Sequence, residues 1–128
     1  MRDHSRDKVR LEHIKECIER IFRYSENRTL EQLMADDMRY FAIVKNIEII
    51  GEAANMLSAD FIDEHPETPW KIIVKMRHYI VHEYFNIDND VVWEVLNNYL
   101  PELSQQINKY LSETDWNTWD NSDLVLNQ

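Results

Sequence analysis

Apolar residues recur at helical spacing along most of the chain, and this periodicity restricts its fold more than any other feature. In the first segment, from about residue 5 to 26, they form one stripe: Val9, Leu11, Ile14, Cys17, Ile18, Ile21 and Phe22. Such spacing is typical of an amphipathic helix with one buried face. No segment alternates apolar and polar residues as a half-buried strand would. The sequence therefore predicts an all-α protein.

The second helix is predicted to begin near Thr29, which has capping-box spacing with Gln32. Its apolar pattern continues without a break to about Leu57. Gly51, the only glycine in the chain, falls inside this helix. A helical glycine costs about 1 kcal/mol relative to alanine, so some contact must need the missing side chain. We therefore expect the backbone of another segment to approach the second helix closely at Gly51.

Two more helices follow, and the first of them has a recognisable start. It is predicted to open with Thr68 as its N-cap and Pro69 at the first helical position, and to run to about Tyr84. The fourth helix is predicted over residues 91–111, with a kink at Pro101. Four amphipathic helices in sequence favour an up-and-down four-helix bundle.

A length of 128 residues is sufficient for one domain with one core. We predict a helical domain over residues 1–111 and an acidic tail over residues 112–128, where apolar residues are too sparse to predict a helix. Cys17 lies on the apolar stripe of the first helix, which is typical of a reduced, buried thiol. The first eight residues are charged where a signal peptide needs an apolar core. The sequence therefore predicts a cytoplasmic protein without membrane attachment.

The net charge of −10 argues against broad electrostatic capture of nucleic acid. Surfaces that bind phosphate usually cluster lysine and arginine. Any activity on nucleic acid must therefore depend on a few placed cations or on a cleft between two subunits. An acidic surface also suits a module that binds a partner protein, and this interpretation stays open.

Chemically capable side chains are concentrated in residues 77–84, whose sequence is RHYIVHEY. RNA cleavage suits these groups because the 2′-hydroxyl is an internal nucleophile, so that an enzyme must add a base, an acid and a cation. Histidine exchanges protons near neutral pH, which makes His82 a candidate acid/base. Arg77 is the candidate cation, since a planar guanidinium can hold a phosphate through two hydrogen bonds.

The spacing of these two residues raises a geometric problem. On one straight helix Arg77 and His82 would lie about 140° apart around the axis and could not act on one atom. The difficulty disappears if the helix ends or bends here, or if a two-fold dimer brings both copies of the segment together. We favour the homodimer.

Plainer interpretations of the same residues stay open. An arginine, a histidine and a tyrosine in one helix often serve an ion pair and a partly buried surface. His78 and His82 are four residues apart, a spacing that can bind a metal ion on one helix face, but no third ligand is evident. We therefore predict no metal site, and interpret Asp88 and Asp90 as capping residues.

With Arg77, His82 and Tyr84 in the pattern R-x4-H-x-Y, the chain resembles the HepT-like toxins of the HEPN superfamily. The resemblance extends to other motifs in the same order: Ile50-Gly51-Glu52-Ala53, Trp70, the YFNID sequence of residues 84–88, Trp93 and Leu100-Pro101. It covers about residues 8–111. Several spaced motifs are more specific than one.

This resemblance implies a HEPN-like helical homodimer with metal-independent endoribonuclease activity, and with Arg77 and His82 as catalytic residues at the dimer cleft. The substrate would be RNA, with tRNA as one candidate, and no cofactor would be needed. The resemblance also implies a cognate nucleotidyltransferase antitoxin that transfers AMP from ATP to the phenol of Tyr84. We expect Tyr84 to be a positioning group in the site as well as this modification site. The position after the arginine is often Asn or Asp in this superfamily. Here it is His78, which we interpret as an orienting donor or a second acid/base.

Glu52 is a further candidate, because it follows the lone glycine on the second helix. Its carboxylate is predicted to reach Arg77 and fix the guanidinium for phosphate contact, although a solvated helix glutamate is an equally good interpretation. Two other functions remain open. One is a non-catalytic module that binds a nucleotide or a partner in complex with a nucleotidyltransferase, and the other is a purely structural helical dimer.

Overall fold

The computed structural model describes the backbone of residues 4–126 and the side chains of residues 4–121. After a 3₁₀ turn at His4–Arg6, the first four helices are α1 (Asp7–Ser25), α2 (Leu30–Ala35), α3 (Asp37–Asn55) and α4 (Ala59–Glu64). Next come α5 (Trp70–Val74), α6 (Met76–Ile80), strand β1 (Val81–His82), a 3₁₀ turn (Glu83–Phe85) and strand β2 (Asn86–Ile87). The chain continues with α7 (Asn89–Glu94), a π-helical turn (Val95–Tyr99), α8 (Leu100–Glu113) and α9 (Trp116–Leu126).

These elements form an all-α, HEPN-like bundle, as the sequence predicted. The pair α1 and α3 makes its most extensive contact, α8 packs on α1, and α5 and α6 pack on α3. The largest side chains with almost no solvent exposure point into the centre from these helices: Leu11, Ile14, Ile18, Ile21, Ile43, Ile47, Ile50, Ile80, Leu100 and Ile107. Most of the stripe predicted for α1 is therefore its buried face, including Cys17, but Val9 is exposed and Phe22 is only partly buried.

The second helix is two helices, so the prediction of one unbroken helix was wrong. The break is at Asp36, whose backbone leaves the helical region with φ −108° and ψ 86°. Its carboxylate accepts a hydrogen bond from the backbone N–H of Arg39 at 3.2 Å and thereby caps α3. Asp competes for backbone donors in this way, and that favours a cap over a helix interior. The capping box of Thr29 and Gln32 at the start of α2 is confirmed.

The close approach predicted at Gly51 is confirmed. A Cβ atom at this position would lie 3.0 Å from the carbonyl oxygen of Ile73 and 3.2 Å from that of Val74. Both oxygens belong to the backbone of α5, which cannot move aside as the end of a flexible side chain can. The missing side chain is therefore what lets α5 pack directly on α3.

The third helix differs from its prediction at both ends. Pro69, rather than Thr68, occupies the N-cap position of α5. The hydroxyl of Thr68 instead donates to Oε1 of Gln106 at 2.8 Å, so a tertiary contact replaces the cap. The helix is interrupted at Lys75 and α6 ends at Ile80, so the prediction of a helix to Tyr84 was wrong. The backbone N–H of Asp88 donates to the carbonyl of Ile80 at 2.7 Å, and this contact closes the chain into a hairpin.

The fourth helix carries its irregularity immediately before Pro101. Asp88 caps α7 by accepting from the backbone N–H of Val91 at 3.3 Å, as its predicted capping role requires. The π-helical turn follows, in which the N–H of Leu100 reaches the carbonyl of Val95. Proline has no N–H to donate, and a wider turn accommodates the missing hydrogen bond.

Two helices were not predicted, and both lie at the end of the bundle where the chain begins. Ser58 caps α4 through the backbone N–H of Phe61 at 3.2 Å. The tail contains α9, which packs against the N-terminal 3₁₀ turn. The buried carboxylate of Asp7 joins these segments, because it accepts from the backbone N–H of Ser58 at 2.8 Å and from Nε1 of Trp119 at 2.9 Å.

Within the described part of the chain, no helix combines the length and the apolar character needed to span a membrane.

Replacement of Gly51 by valine should lower the free energy of unfolding by about 1–3 kcal/mol more than Glu52→Val does, because the side chain would overlap the backbone of α5. Glu52 is the matched control, since it is the next residue of α3 and is exposed. Urea unfolding followed by circular dichroism measures both. Equal losses in the two variants would contradict the packing described at Gly51.

Candidate functional site

The segment that follows α6 is a small antiparallel hairpin, which we call the motif hairpin (residues 81–87). Val81 pairs with Ile87, and His82 pairs with Asn86. The three residues between the strands form the 3₁₀ turn at its tip. Because α6 ends at Ile80, His82 lies beyond the helix, and the angular separation expected on a straight helix does not apply. The helix end that the sequence allowed for is therefore present.

The tip of the motif hairpin holds two consecutive left-handed residues, Tyr84 with φ 57° and Phe85 with φ 59°. Outside glycine this conformation costs roughly 1–2 kcal/mol per residue, and bulky side chains adopt it rarely. The side chain of Tyr84 is fully exposed and that of Phe85 is half exposed, so burial in the core does not offset the cost. Strain of this kind gathers at functional sites, which makes the tip a candidate for contact with another molecule.

Arg77 is half exposed on α6 and is held from one side by α3. Its Nε lies 3.5 Å from Oε1 of Glu48, a mostly buried carboxylate that also has Nζ of Lys45 at 3.8 Å. About 47% of the Arg77 side chain remains exposed. The guanidinium is thus oriented by one carboxylate while part of it can meet a ligand.

The ion pair to Arg77 comes from Glu48, and Glu52, which the sequence predicted for this contact, is exposed one turn away. The reason is the direction of the helices. Gly51 of α3 lies against Ile73, whereas Glu48 lies against Arg77, so the two segments run in opposite directions here. A partner for a residue after Ile73 must therefore precede Gly51. Glutamates at both 48 and 52 were visible in the sequence, but the direction of packing was not.

His82 is half exposed and has a carboxylate nearby. Its Nε2 lies 4.0 Å from Oδ2 of Asp88, which is beyond hydrogen-bond length but close enough to attract an imidazolium. Asp88 is fixed because its other oxygen caps α7. Sequence reasoning assigned Asp88 to capping alone and missed this second contact. The indication of this contact in the sequence was the spacing of six residues between His82 and Asp88, which a hairpin between them brings together.

A buried tyrosine fixes the start of α7, and with it Asp88. The phenol of Tyr40, on α3, donates to Oδ1 of Asn89 at 2.6 Å. Burial, together with the smaller effect of the nearby carboxylates of Asp88 and Asp90, raises the pKa of Tyr40 to about 12. The phenol therefore keeps its proton and continues to donate at any physiological pH.

His78 is exposed on α6, four residues before His82. The spacing that suggested a metal site assumed one continuous helix, and it loses that meaning because His82 belongs to β1. In the part of the chain that the structure describes, no group of three or more His, Cys, Asp or Glu residues is arranged to hold a metal ion. Nor does a direct hydrogen bond or ion pair join Arg77 to His82 among the described residues.

The arrangement offers one oriented cation on α6 and one imidazole on β1, each half exposed and each beside a carboxylate. A cation suits the charge of a phosphate, and an imidazole can transfer a proton at neutral pH.

Comparisons with known proteins identify the family to which the chain is similar. The family model "Ribonuclease HepT-like" matches residues 14–110. A protein of Methanocaldococcus jannaschii named "Gamma-glutamylcyclotransferase and putative RNase" is 34% identical over 86% of this chain, which spans 50% of that relative's length. A "Probable ribonuclease HepT" of Thermococcus cleftensis is 35% identical over 77% of this chain and 90% of its own length. No solved structure gave a significant match.

The matched region includes every motif from which the resemblance was inferred, and it spans α1 to the greater part of α8. The resemblance is thus confirmed at the level of the family. The chain belongs to the ribonuclease HepT-like family of the HEPN superfamily.

Proposed function

We propose that this chain is the toxin of a cytoplasmic toxin–antitoxin pair and that it cleaves RNA without a metal ion. The observation that carries the proposal is that Arg77 is half exposed and oriented by Glu48 on α6, while His82, five residues later on β1, is also half exposed and lies near Asp88. Relatives named as ribonucleases over most of the chain support it. In this proposal Arg77 and His82 are the catalytic residues.

The proposed reaction uses the substrate's own nucleophile. A base takes the proton of the 2′-hydroxyl, the bond from O2′ to phosphorus forms, and the bond from phosphorus to O5′ breaks. An acid protonates the departing O5′, so the products are a 2′,3′-cyclic phosphate and a 5′-hydroxyl. His82 transfers protons, and Arg77 stabilises the charge on the phosphorane.

The reaction needs a second proton-transferring group besides His82. A base and an acid are both required, and one His82 can serve only one role in a single step. A homodimer that brings two motif hairpins together would supply the second imidazole and a second guanidinium. It would also concentrate positive charge locally in a protein whose net charge is −10. His78, exposed one turn before the hairpin, is the alternative second acid/base.

Tyr84 is the proposed site at which a cognate nucleotidyltransferase antitoxin silences the toxin. Its side chain is fully exposed at the hairpin tip, where another enzyme can reach the phenol oxygen. That oxygen would attack the α-phosphate of ATP, with loss of its proton and release of pyrophosphate. The added AMP brings a phosphate close to Arg77 and His82 and fills the space that RNA needs.

Replacement of His82 by alanine should lower the rate of RNA cleavage roughly 10²- to 10⁴-fold, because the proton transfer is lost. The assay is cleavage of total RNA and of tRNA in EDTA by protein of unmodified mass. His13→Ala is the matched control, since His13 is exposed on α1 and remote in sequence from the motif, and it should cleave at the wild-type rate.

Equal cleavage rates for His82→Ala and the wild type would contradict the assignment of His82 as a catalytic residue. Absence of cleavage by unmodified wild-type protein, together with stable binding to the nucleotidyltransferase, would favour the non-catalytic partner-binding module instead. A purely structural role predicts that Arg77→Ala and His82→Ala change stability only.

Co-expression with the cognate nucleotidyltransferase should add one or more AMP units to the intact mass and abolish cleavage. Tyr84→Phe should remain unmodified and active, because it lacks the phenol oxygen. Tyr79→Phe is the control, since Tyr79 is also exposed in the same motif and its loss should leave the modification unchanged. Modification of Tyr84→Phe at the wild-type level would assign the acceptor to another residue.

A further inference from the structure

Two phenylalanines pack against each other beside the motif hairpin and leave about half of their surface to solvent. The ring centroids of Phe41 and Phe85 are 5.6 Å apart, with planes inclined by 57°. Phe41 is 50% exposed and Phe85 is 49% exposed. One comes from α3 and the other from the hairpin tip. They form an apolar patch of two rings, which we call the aromatic pair.

The aromatic pair lies on the same face of α3 as Glu48, the residue that orients Arg77. Phe41, Lys45 and Glu48 follow one another along one face of α3, because they are spaced by four and three residues. Seven residues of helix separate Phe41 from Glu48, a distance of about 10 Å along the axis. Glu48 holds Arg77, and Phe85 follows His82 by three residues. A short single strand of RNA could therefore reach from one to the other.

The turn itself does not need an aromatic residue at position 85. Asparagine or glycine would adopt the left-handed conformation at lower cost, and Phe85 is not buried in the core. The ring of Phe85 packs against that of Phe41 on one side. The remaining surface faces solvent and is available to a ligand.

We propose that Phe41 and Phe85 form a stacking platform for one unpaired nucleobase of the RNA, next to the phosphate that Arg77 holds. This inference rests on the proposed function and adds a binding site to it. Aromatic rings stack on single-stranded bases with little dependence on sequence. Lys45, one turn from Phe41, lies where it can meet an adjacent phosphate.

The charge of the chain favours this form of binding. A net charge of −10 provides no general attraction for RNA, so affinity must come from contacts other than counterion release. Stacking provides such a contact. Binding should accordingly depend weakly on salt, in contrast to proteins that hold RNA through many phosphate contacts.

The test uses His82→Ala as the parent, so that RNA is bound without being cut, and measures the Kd of a short single-stranded RNA by fluorescence anisotropy. Phe41→Leu or Phe85→Leu should raise Kd roughly 10-fold or more, whereas Phe85→Tyr should retain binding because it keeps the ring. Tyr99→Leu is the matched control, since Tyr99 is 44% exposed but lines an apolar groove between α5 and α8.

A second arm of the experiment removes bases from the RNA instead of rings from the protein. An abasic nucleotide is placed at each position in turn. At one position, loss of the base should raise the Kd of the parent protein as much as Phe85→Leu does. In the Phe85→Leu variant, loss of the same base should raise Kd little further. If the fold increases in Kd from Phe85→Leu and from the abasic nucleotide multiplied at every position, ring and base would act independently and the stacking platform would be wrong.

The outcomes separate this inference from the proposed function. If the wild type cleaves RNA but the affinity losses from ring and base removal are independent, the nuclease function stands and the stacking platform is wrong. If those affinity losses are coupled but the wild type does not cleave RNA, the platform stands and the nuclease function is wrong. If Phe41→Leu and Phe85→Leu change the sedimentation of the protein but not its Kd for RNA, the aromatic pair is a protein contact and the inference is wrong.

Discussion

The direct backbone contact between α3 and α5 at Gly51 is the constraint on which the rest of the site depends. Carbonyl oxygens of α5 lie where a side chain of residue 51 would be, so the missing side chain lets the two segments approach closely. The segments run in opposite directions, and α6, which follows α5, brings Arg77 opposite Glu48. The motif hairpin begins where α6 ends, at Ile80, so His82 is joined directly to a segment that packs on α3.

Helix α3 also supports the other residues around the motif. Its first turns contribute Tyr40, which fixes α7 through Asn89, and Phe41, which packs on the hairpin tip. Its middle contributes Glu48 to orient Arg77. The strained left-handed tip is thus anchored at its sides while its outermost ring stays exposed. Placement of functional groups on a packed helix gives them a precision that an unsupported loop lacks.

Features that depend on short spacing were predictable from the sequence, and features that depend on packing direction were not. The capping box at Thr29 and the close approach at Gly51 were predicted correctly, because each follows from local chemistry. The break at Asp36 was missed, since an aspartate within an apolar pattern reads equally well as a solvated helix residue. To predict Glu48 rather than Glu52 as the partner of Arg77, one would have to know the direction in which α5 and α6 run relative to α3. The catalytic roles of Arg77 and His82 stay predictions from the motif.

In the proposed reaction the RNA supplies its own nucleophile, and the protein supplies only a cation and proton transfer. An RNA that carries a single 2′-deoxynucleotide at the cleaved linkage, incubated with the wild-type protein in EDTA, distinguishes this reaction from attack by water. Cleavage should disappear at that linkage and persist at unmodified control linkages, where the products should end in 2′,3′-cyclic phosphates. Undiminished cleavage at the deoxy linkage would contradict the proposed reaction, because the attacking oxygen would then have to come from water.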